Sequence, residues 1–288
     1  MGVARDFQFR HYAREEDARS RKAYDAIFGH GPNSNQSWAS LETHNREVFF
    51  VLGSGASVAG LRDYDFDFFS RGYSVGINTW ALHPFVPSAY SYEFHADTRL
   101  LGFLNREQVR QRGPHLLMLR PRDSAEFASY RALPLALRAN AIMYGRANLV
   151  TKNPRRVSDD LGRALQWLRR HPEILALPDN GASVARMVSL AILLNFRRIV
   201  LVGVDLLGTD YFWHRDPELI APIGLTRWDT VQRGERHETL SSHSRPFPID
   251  IWLAKVGEGL RRRGLSLETW SAESALAQHL PVSPENRS

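Results

Sequence analysis

The chain has 288 residues, 43% of them hydrophobic, which is enough for one sizeable core. It contains no cysteine, so disulfides and thiolate metal sites are excluded. The net charge is +6, and the basic residues are almost all arginine, since Lys22, Lys152 and Lys255 are the only lysines. Arginine presents a bidentate fork suited to phosphate and carboxylate, and a basic surface favours anionic partners such as nucleotides or an acidic membrane face.

In chain order, residues 1–46 read as an N-terminal extension. They are polar and mixed in charge, with a helix expected over 15–28 and a turn-rich loop at 29–38. No apolar segment of the signal-peptide type opens the chain, and no apolar run approaches the ~20 residues of a membrane helix. The expected location is therefore the cytoplasm, with peripheral attachment to the inner face of the membrane as the role for the basic surface. From residue 47 the pattern alternates. Strands are expected at 47–52, 73–78, 89–95, 115–120, 198–204 and 265–270, and helices at 158–170, 181–195 and 249–263. Alternating strands and helices predict an α/β fold, a single Rossmann-like and mostly parallel sheet flanked by helices. Residues 47–205 form its nucleotide-binding part and 249–288 complete the core. Between 206 and 248 the pattern dissolves into a long stretch rich in His, Trp, Arg, Gly and Thr. So long a connection, directly after a central strand, reads as a lid over the ligand end of the sheet.

Four stretches carry candidate chemistry. The first strand runs into Gly53-Ser54-Gly55-Ala56-Ser57. Gly53 and Gly55 permit a sharp exit and close backbone approach, and Ser54 and Ser57 add hydroxyls, which suits a phosphate or ribose. The dinucleotide fingerprint would need its third glycine at Val58, and no Gly-Lys-Ser/Thr follows for a phosphate loop of the Walker type. The plainer alternative is a strand–helix turn with Ser57 as helix cap. Second, Asn78 ends the next strand and can reach a sugar hydroxyl or phosphate, or simply make a turn. Third, Asn180, Ala182 and Ser183 open a helix leading to a strand that ends at Asp205, with Tyr211 just beyond in the lid segment. Helix N-termini favour anions, and a tyrosine there either donates to a leaving phosphate or packs on the domain. Fourth, His243 stands at the exit of the lid, as a general base near neutral pH or an exposed loop histidine. His214, His237 and His243 lack zinc-site spacing such as HExxH, and the G-x-S-x-G elbow of serine hydrolases is missing, so neither metal nor acyl-transfer chemistry is expected.

Taken in order, these stretches resemble the small bacterial sialyltransferases of glycosyltransferase family 42. The family's G-N-G-P-S loop corresponds to residues 53–57, with Ser54 at its asparagine. Its second-strand asparagine corresponds to Asn78. Its T-S-G turn and S-G-I-D strand end correspond to Ala182-Ser183 and Val202-Gly203-Val204-Asp205, with Asn180 where an arginine is usual. Of its two lid tyrosines, Tyr211 matches the second and Leu207 stands at the first. Its G-H-S-K base motif matches Ser242-His243-Ser244-Arg245, and its last motif resembles residues 272–277. The resemblance spans roughly residues 47–281, most loosely between 100 and 176. It implies a sheet of the GT-A-like sialyltransferase kind and a CMP-sugar donor substrate with no required cofactor and no metal. It further implies transfer of a sialic-acid-type nonulosonic acid, with inversion, to a glycan hydroxyl of a lipooligosaccharide or other surface polysaccharide, by a chain that forms homo-oligomers. It implies His243 as base, Tyr211 on the departing phosphate, Gly53, Ser54, Gly55, Ser57, Asn78 and Asp205 around ribose and phosphate, and Asn180, Ala182 and Ser183 on the cytidine. A CMP-Kdo transferase and a non-catalytic nucleotide-binding protein are the rival readings. Nucleic acid is not an expected partner, because the arginines are scattered and no nucleic-acid motif occurs.

Overall fold

The computed structural model describes residues 2–29, 37–41, 47–93, 100–121, 128, 130–133, 135–149, 151, 153–206, 210–219, 221 and 247–286. Eight strands form one sheet: β1 (Val48–Leu52), β2 (Tyr73–Ile77), β3 (Ala89–Tyr92), β4 (His115–Leu119), β5 (Ala141–Asn148), β6 (Ala176–Asp179), β7 (Arg198–Val202) and β8 (Ser266–Thr269). Their order is β6-β5-β4-β3-β2-β1-β7-β8, and every pairing among them is parallel. The longer helices are α1 (Gly2–Phe28), α2 (Asp63–Ser70), α3 (Val157–Arg170), α4 (Ser183–Leu193) and α5 (Ile249–Arg261).

The central strands are buried on both faces, as a sheet covered on both sides requires. In β1, Phe49 and Val51 face a core that includes residues of α3, α4 and α5. Phe50 and Leu52 face a second core with Phe69 of α2 and Trp80. The expected strands and helices are all present, most within a few residues of their sequence-based limits. Helix α1 is much longer than the stretch over 15–28. It packs on the sheet: Phe9 and Ala13 lie in the core, and Asp17 Oδ1 accepts from the Leu175 amide at 2.8 Å. Strands β5 and β6 have no counterpart among the expected elements. β6 contains Pro178, which strands tolerate at an edge, and β6 is an edge.

The sequence of strands reverses direction at β1. From β1 the chain winds outward through β2 to β6, then returns through α4 to lay β7 on the other side of β1. The crevice at the carboxyl ends of two such strands is where open α/β sheets hold ligands. Among the described residues no helix is long and apolar enough to cross a membrane.

Candidate functional site

The loops leaving β1 and β7 are fastened to each other. The Gly53 amide donates to Val202 O at 2.7 Å and the Gly55 amide to Gly203 O at 2.8 Å. This continues the β1–β7 pairing past the strand ends. A side chain on Gly55 would meet the Asp205 carboxylate, with Oδ2 at 2.4 Å from the Cβ position, and Gly203 is left-handed at φ +64°. The close approach that the glycine-rich loop was expected to offer a ligand is thus made to the neighbouring loop. Ser57 is bound into the same junction. Its amide donates to Asp205 Oδ2 at 2.8 Å and its hydroxyl to Oδ1 at 2.6 Å. It lies inside a 3-10 turn, Ala56–Gly60, whose N-cap is Gly55, so Ser57 caps no helix. From the far end of the chain, Ser274 Oγ donates to Val204 O at 2.9 Å and the Ala275 amide to Asp205 O at 2.9 Å.

Ser54 keeps more freedom. Its hydroxyl accepts from Thr79 Oγ1 at 2.8 Å, which leaves its own proton to donate. Its carbonyl accepts from the Phe212 amide at 3.1 Å, and Gly55 forms an isolated bridge with Tyr211. The first turn beyond residue 209 therefore folds back over the opening loop. The Tyr211 ring, half-buried, stacks on Trp213 with centroids 4.3 Å apart. The Tyr211 amide donates to His214 Nδ1 at 3.3 Å. The same Nδ1 lies 3.5 Å from Asp210 Oδ1, and Nε2 is buried without a partner among the described residues. His243, His237 and Leu207 lie outside the described residues.

On the other side of the crevice, Asn78 sits at the end of β2 with a left-handed backbone, φ +49°, which asparagine tolerates better than most residues. Asn78 Nδ2 donates to Ser183 Oγ at 3.2 Å, and Oδ1 accepts from the Glu93 amide at 3.4 Å. Ser183 is the first residue of α4 and Ala182 its N-cap. Ser183 in turn donates to Glu93 and accepts from Arg186 at 3.3 Å. Asn180, before the helix, is buried, and its carboxamide nitrogen has no partner among the described residues. Ser54, Asn78, Asn180, Ser183 and Tyr211 thus gather around the carboxyl ends of β1, β2, β6 and β7. Three site residues were missed in the sequence: Thr79, Glu93 and Arg186. Arg186 had a signal, because it is the one charged residue in a mostly apolar helix, SVARMVSLAIL.

Below Asn78, the 3-10 turn Asn78–Leu82 is held by His83, whose ring stacks on Trp80 at 4.6 Å. His83 Nδ1 accepts from the Phe85 amide at 3.0 Å, and Arg106 Nη2 donates to His83 O at 2.9 Å. Burial, helped by the Arg106 charge, pushes the His83 pKa down to about 4 from the ordinary 6.5. Between those values the unfolded chain binds a proton that the folded chain refuses, so stability falls as pH drops from 6.5 towards 4. The full effect is about 3 kcal/mol. Urea unfolding at pH 7 and pH 4.5 checks it: the wild type should lose stability between the two, and His83→Gln should lose clearly less. Equal losses would assign the acid sensitivity elsewhere.

Among the described residues no cluster of three or more His, Cys, Asp or Glu is placed to hold a metal ion. No family model and no curated protein matches the chain. Among solved structures it is similar to a single-residue variant of the sialyltransferase CST-II in complex with CMP, at 14% identity and a TM-score of 0.45, covering 85% of this chain and 88% of that one. It is also similar to CstII from Campylobacter jejuni in complex with the substrate analogue CMP-3FNeuAc, at 12% identity and a TM-score of 0.47, covering 85% of this chain and 89% of that one.

Proposed function

We propose that this chain is an inverting glycosyltransferase that moves a sialic-acid-type nonulosonic acid from a CMP-sugar to a hydroxyl of a cell-surface glycan, without a metal. The observation that carries the reading is the bond from Asn78 Nδ2 to Ser183 Oγ at 3.2 Å. It joins two motifs 105 residues apart in the chain, across the crevice where an open α/β sheet binds nucleotides.

In this reading the Ser54 hydroxyl, carried on the loop that Gly53 and Gly55 fasten to β7, holds ribose and phosphate. Ser57 and Asp205, engaged with each other, give that loop its shape. Asn78 reaches the phosphate side, and the turn of Asn180, Ala182 and Ser183 faces the cytidine. His243 takes the acceptor hydroxyl proton as that oxygen bonds to the anomeric carbon from the face opposite the leaving group. The bond from the anomeric carbon to the phosphate oxygen breaks as the new one forms, and CMP departs with the electron pair. Tyr211 donates to the departing phosphate, where negative charge grows in the transition state. The segment 206–248, most of which lies outside the described residues, is assigned the role of limiting hydrolysis of the donor.

The donor class is tested by thermal shift with a nucleotide panel. CMP or CDP at about 100 times its Kd should add about 2.7 kcal/mol to the folded state, a rise of several degrees in Tm, while NAD, ATP and UDP leave it unchanged. A shift with UDP or ATP and none with CMP would reject the proposal. Ser54 and Asn180 depart from the sialyltransferase pattern on the donor side, which favours testing a second sugar. CMP-Neu5Ac and CMP-Kdo offered side by side separate the two transferases, and CMP binding with neither hydrolysis nor transfer would instead support a nucleotide-binding protein without catalysis.

A further inference from the structure

Arg186 is fully buried, in a helix whose residues from Val184 to Leu193 are all buried. Its guanidinium lies between two carboxylates on different strand ends. Nη1 donates to Asp179 Oδ1 at 2.9 Å, and Nη2 pairs with Glu93 Oε1. Asp179 also accepts from the Gly181 amide at 2.9 Å, at the turn that opens α4. A buried ion group of this kind is poorly explained by stability, because replacing such groups with apolar residues of similar size is often neutral or stabilising. What charged hydrogen bonds supply and apolar contacts do not is direction.

That direction ends at the crevice. A hydroxyl has one proton to donate and two places to accept. Ser183 uses all three, donating to Glu93 and accepting from Arg186 at 3.3 Å and from Asn78 at 3.2 Å. Ser183 is therefore an internal strut with no hydrogen-bonding capacity left for a ligand. Asn78, by contrast, is oriented without ambiguity. Its oxygen accepts from the Glu93 amide and its nitrogen donates to Ser183, so the carboxamide cannot turn over without losing both bonds. Among the described residues nothing takes the second N–H of Asn78.

We propose that Arg186, clamped by Glu93 and Asp179, is a positioning residue of the donor site: through Ser183 it fixes the Asn78 carboxamide so that its second N–H is presented to the bound CMP-sugar. The inference rests on the donor reading above. In it, Ser183 acts by holding Asn78 and not by touching cytidine, and the affinity that the site owes to Asn78 depends on a residue one helical turn beneath the surface of the crevice.

The test uses the full chain with the three charges removed together, Arg186→Met, Glu93→Gln and Asp179→Asn, so that no buried ion is left alone. Arg186→Lys, which keeps the charge but not the fork, serves as a second variant. Three quantities are measured: Tm, CMP affinity by calorimetry, and the side-chain amide signals of Asn78 in 15N-edited NMR. The triple variant is expected to melt within about 10 °C of the wild type, because no buried charge is left without its partner. It is expected to bind CMP roughly 10-fold more weakly, the effect of about one hydrogen bond made by an oriented group, and to lose the shifted, slowly exchanging Asn78 amide pair. Arg186→Lys should fall between. Adding Asn78→Ala to the triple variant should cost nothing further, because the two changes remove one contact. A folded triple variant with wild-type CMP affinity, or effects that add fully, would overturn the proposal. A wild type that binds no CMP would instead overturn the donor reading, and the Asn78 amide pair would still decide whether the network holds that side chain. Should the triple variant unfold, the same three readings are taken on Arg186→Lys, where an unchanged affinity and an unchanged amide pair overturn it.

Discussion

His243→Ala is expected to lower sugar transfer ~10²-fold or more while leaving CMP binding within about 2-fold of the wild type, the usual signature of a lost general base. The split matters. A base acts on the acceptor hydroxyl, so its loss falls on kcat with a saturating donor and not on nucleotide affinity. Tyr211→Phe removes a single hydroxyl oxygen and should lower kcat by ~10²-fold, since a donor aimed at growing phosphate charge is worth most in the transition state. Its ring remains to stack on Trp213, so the fold should not change. His214→Ala is the internal comparison. His214 has Nδ1 against the Tyr211 amide and Asp210 and its Nε2 buried, so its loss should disturb Tyr211 without removing the pH-rate limb of the base. Full activity in His243→Ala together with a lost pH limb in His214→Ala would reverse this assignment. Assays with CMP-Neu5Ac and a panel of glycan acceptors, run from mildly acidic to mildly alkaline pH, give all of these rates.

The second large effect is on stability. Gly203→Ala places a Cβ 2.4 Å from Gly53 O and 2.4 Å from Val58 Cγ2, at a backbone φ of +64°. The left-handed conformation alone costs a residue with Cβ about 1–2 kcal/mol. Crowding backbone against backbone adds to this, because neither loop can move without breaking the bonds from Gly53 to Val202 and from Gly55 to Gly203. The expected loss is roughly 3 kcal/mol or more. Two glycines separate the causes. Gly264 has a φ of +71° with nothing within 4 Å, and Gly60 has open space at an ordinary φ. Gly264→Ala should cost about 1–2 kcal/mol from backbone strain alone, and Gly60→Ala about 0.5 kcal/mol or less. The order is read from urea midpoints. A Gly203→Ala protein as stable as Gly264→Ala would mean that the two loops are not held as tightly as their hydrogen bonds indicate.

How much of this was legible in the sequence depends on how local each signal is. Strand β1, VFFVL, and β7 after its opening Arg198, IVLV, are continuous apolar runs buried on both faces, and such runs announce a sheet centre. Strand β5, AIMYGRAN, is interrupted by Gly145 and Arg146, and β6, ALPD, is short and carries a proline. Neither has a period to read, and both depend on the neighbour they pair with. Helix α1 has a weak apolar stripe among many charges, so its length does not stand out, yet Glu16 pairs with Arg120 at 3.2 Å, more than a hundred residues away. The site divides in the same way. Gly53, Asn78, Ser183 and Asp205 stand at strand or helix ends that local patterns already mark. Their partners do not: that Asp205 would take both the amide and the hydroxyl of Ser57, or that Glu93 would meet Ser183 and Arg186, follows from which strand ends up beside which.

The fastening of the β1 loop to the β7 loop has a consequence for when the crevice comes into being. Its two sides are 148 residues apart along the chain at Ser57 and Asp205, and its last strut, Ser274, lies close to the end of the sequence. Closing so long a loop comes late in folding, because its entropic cost must be met before its contacts can repay it. During synthesis, β1 to β6 can pair in succession as each emerges, but the crevice has only one wall until β7 arrives and is shut only when residues 274 and 275 have left the ribosome. A chain stopped short of residue 274 would hold most of its sheet but lack the bonds from Ser274 and Ala275 to the β7 loop, and its crevice would be held on one side less.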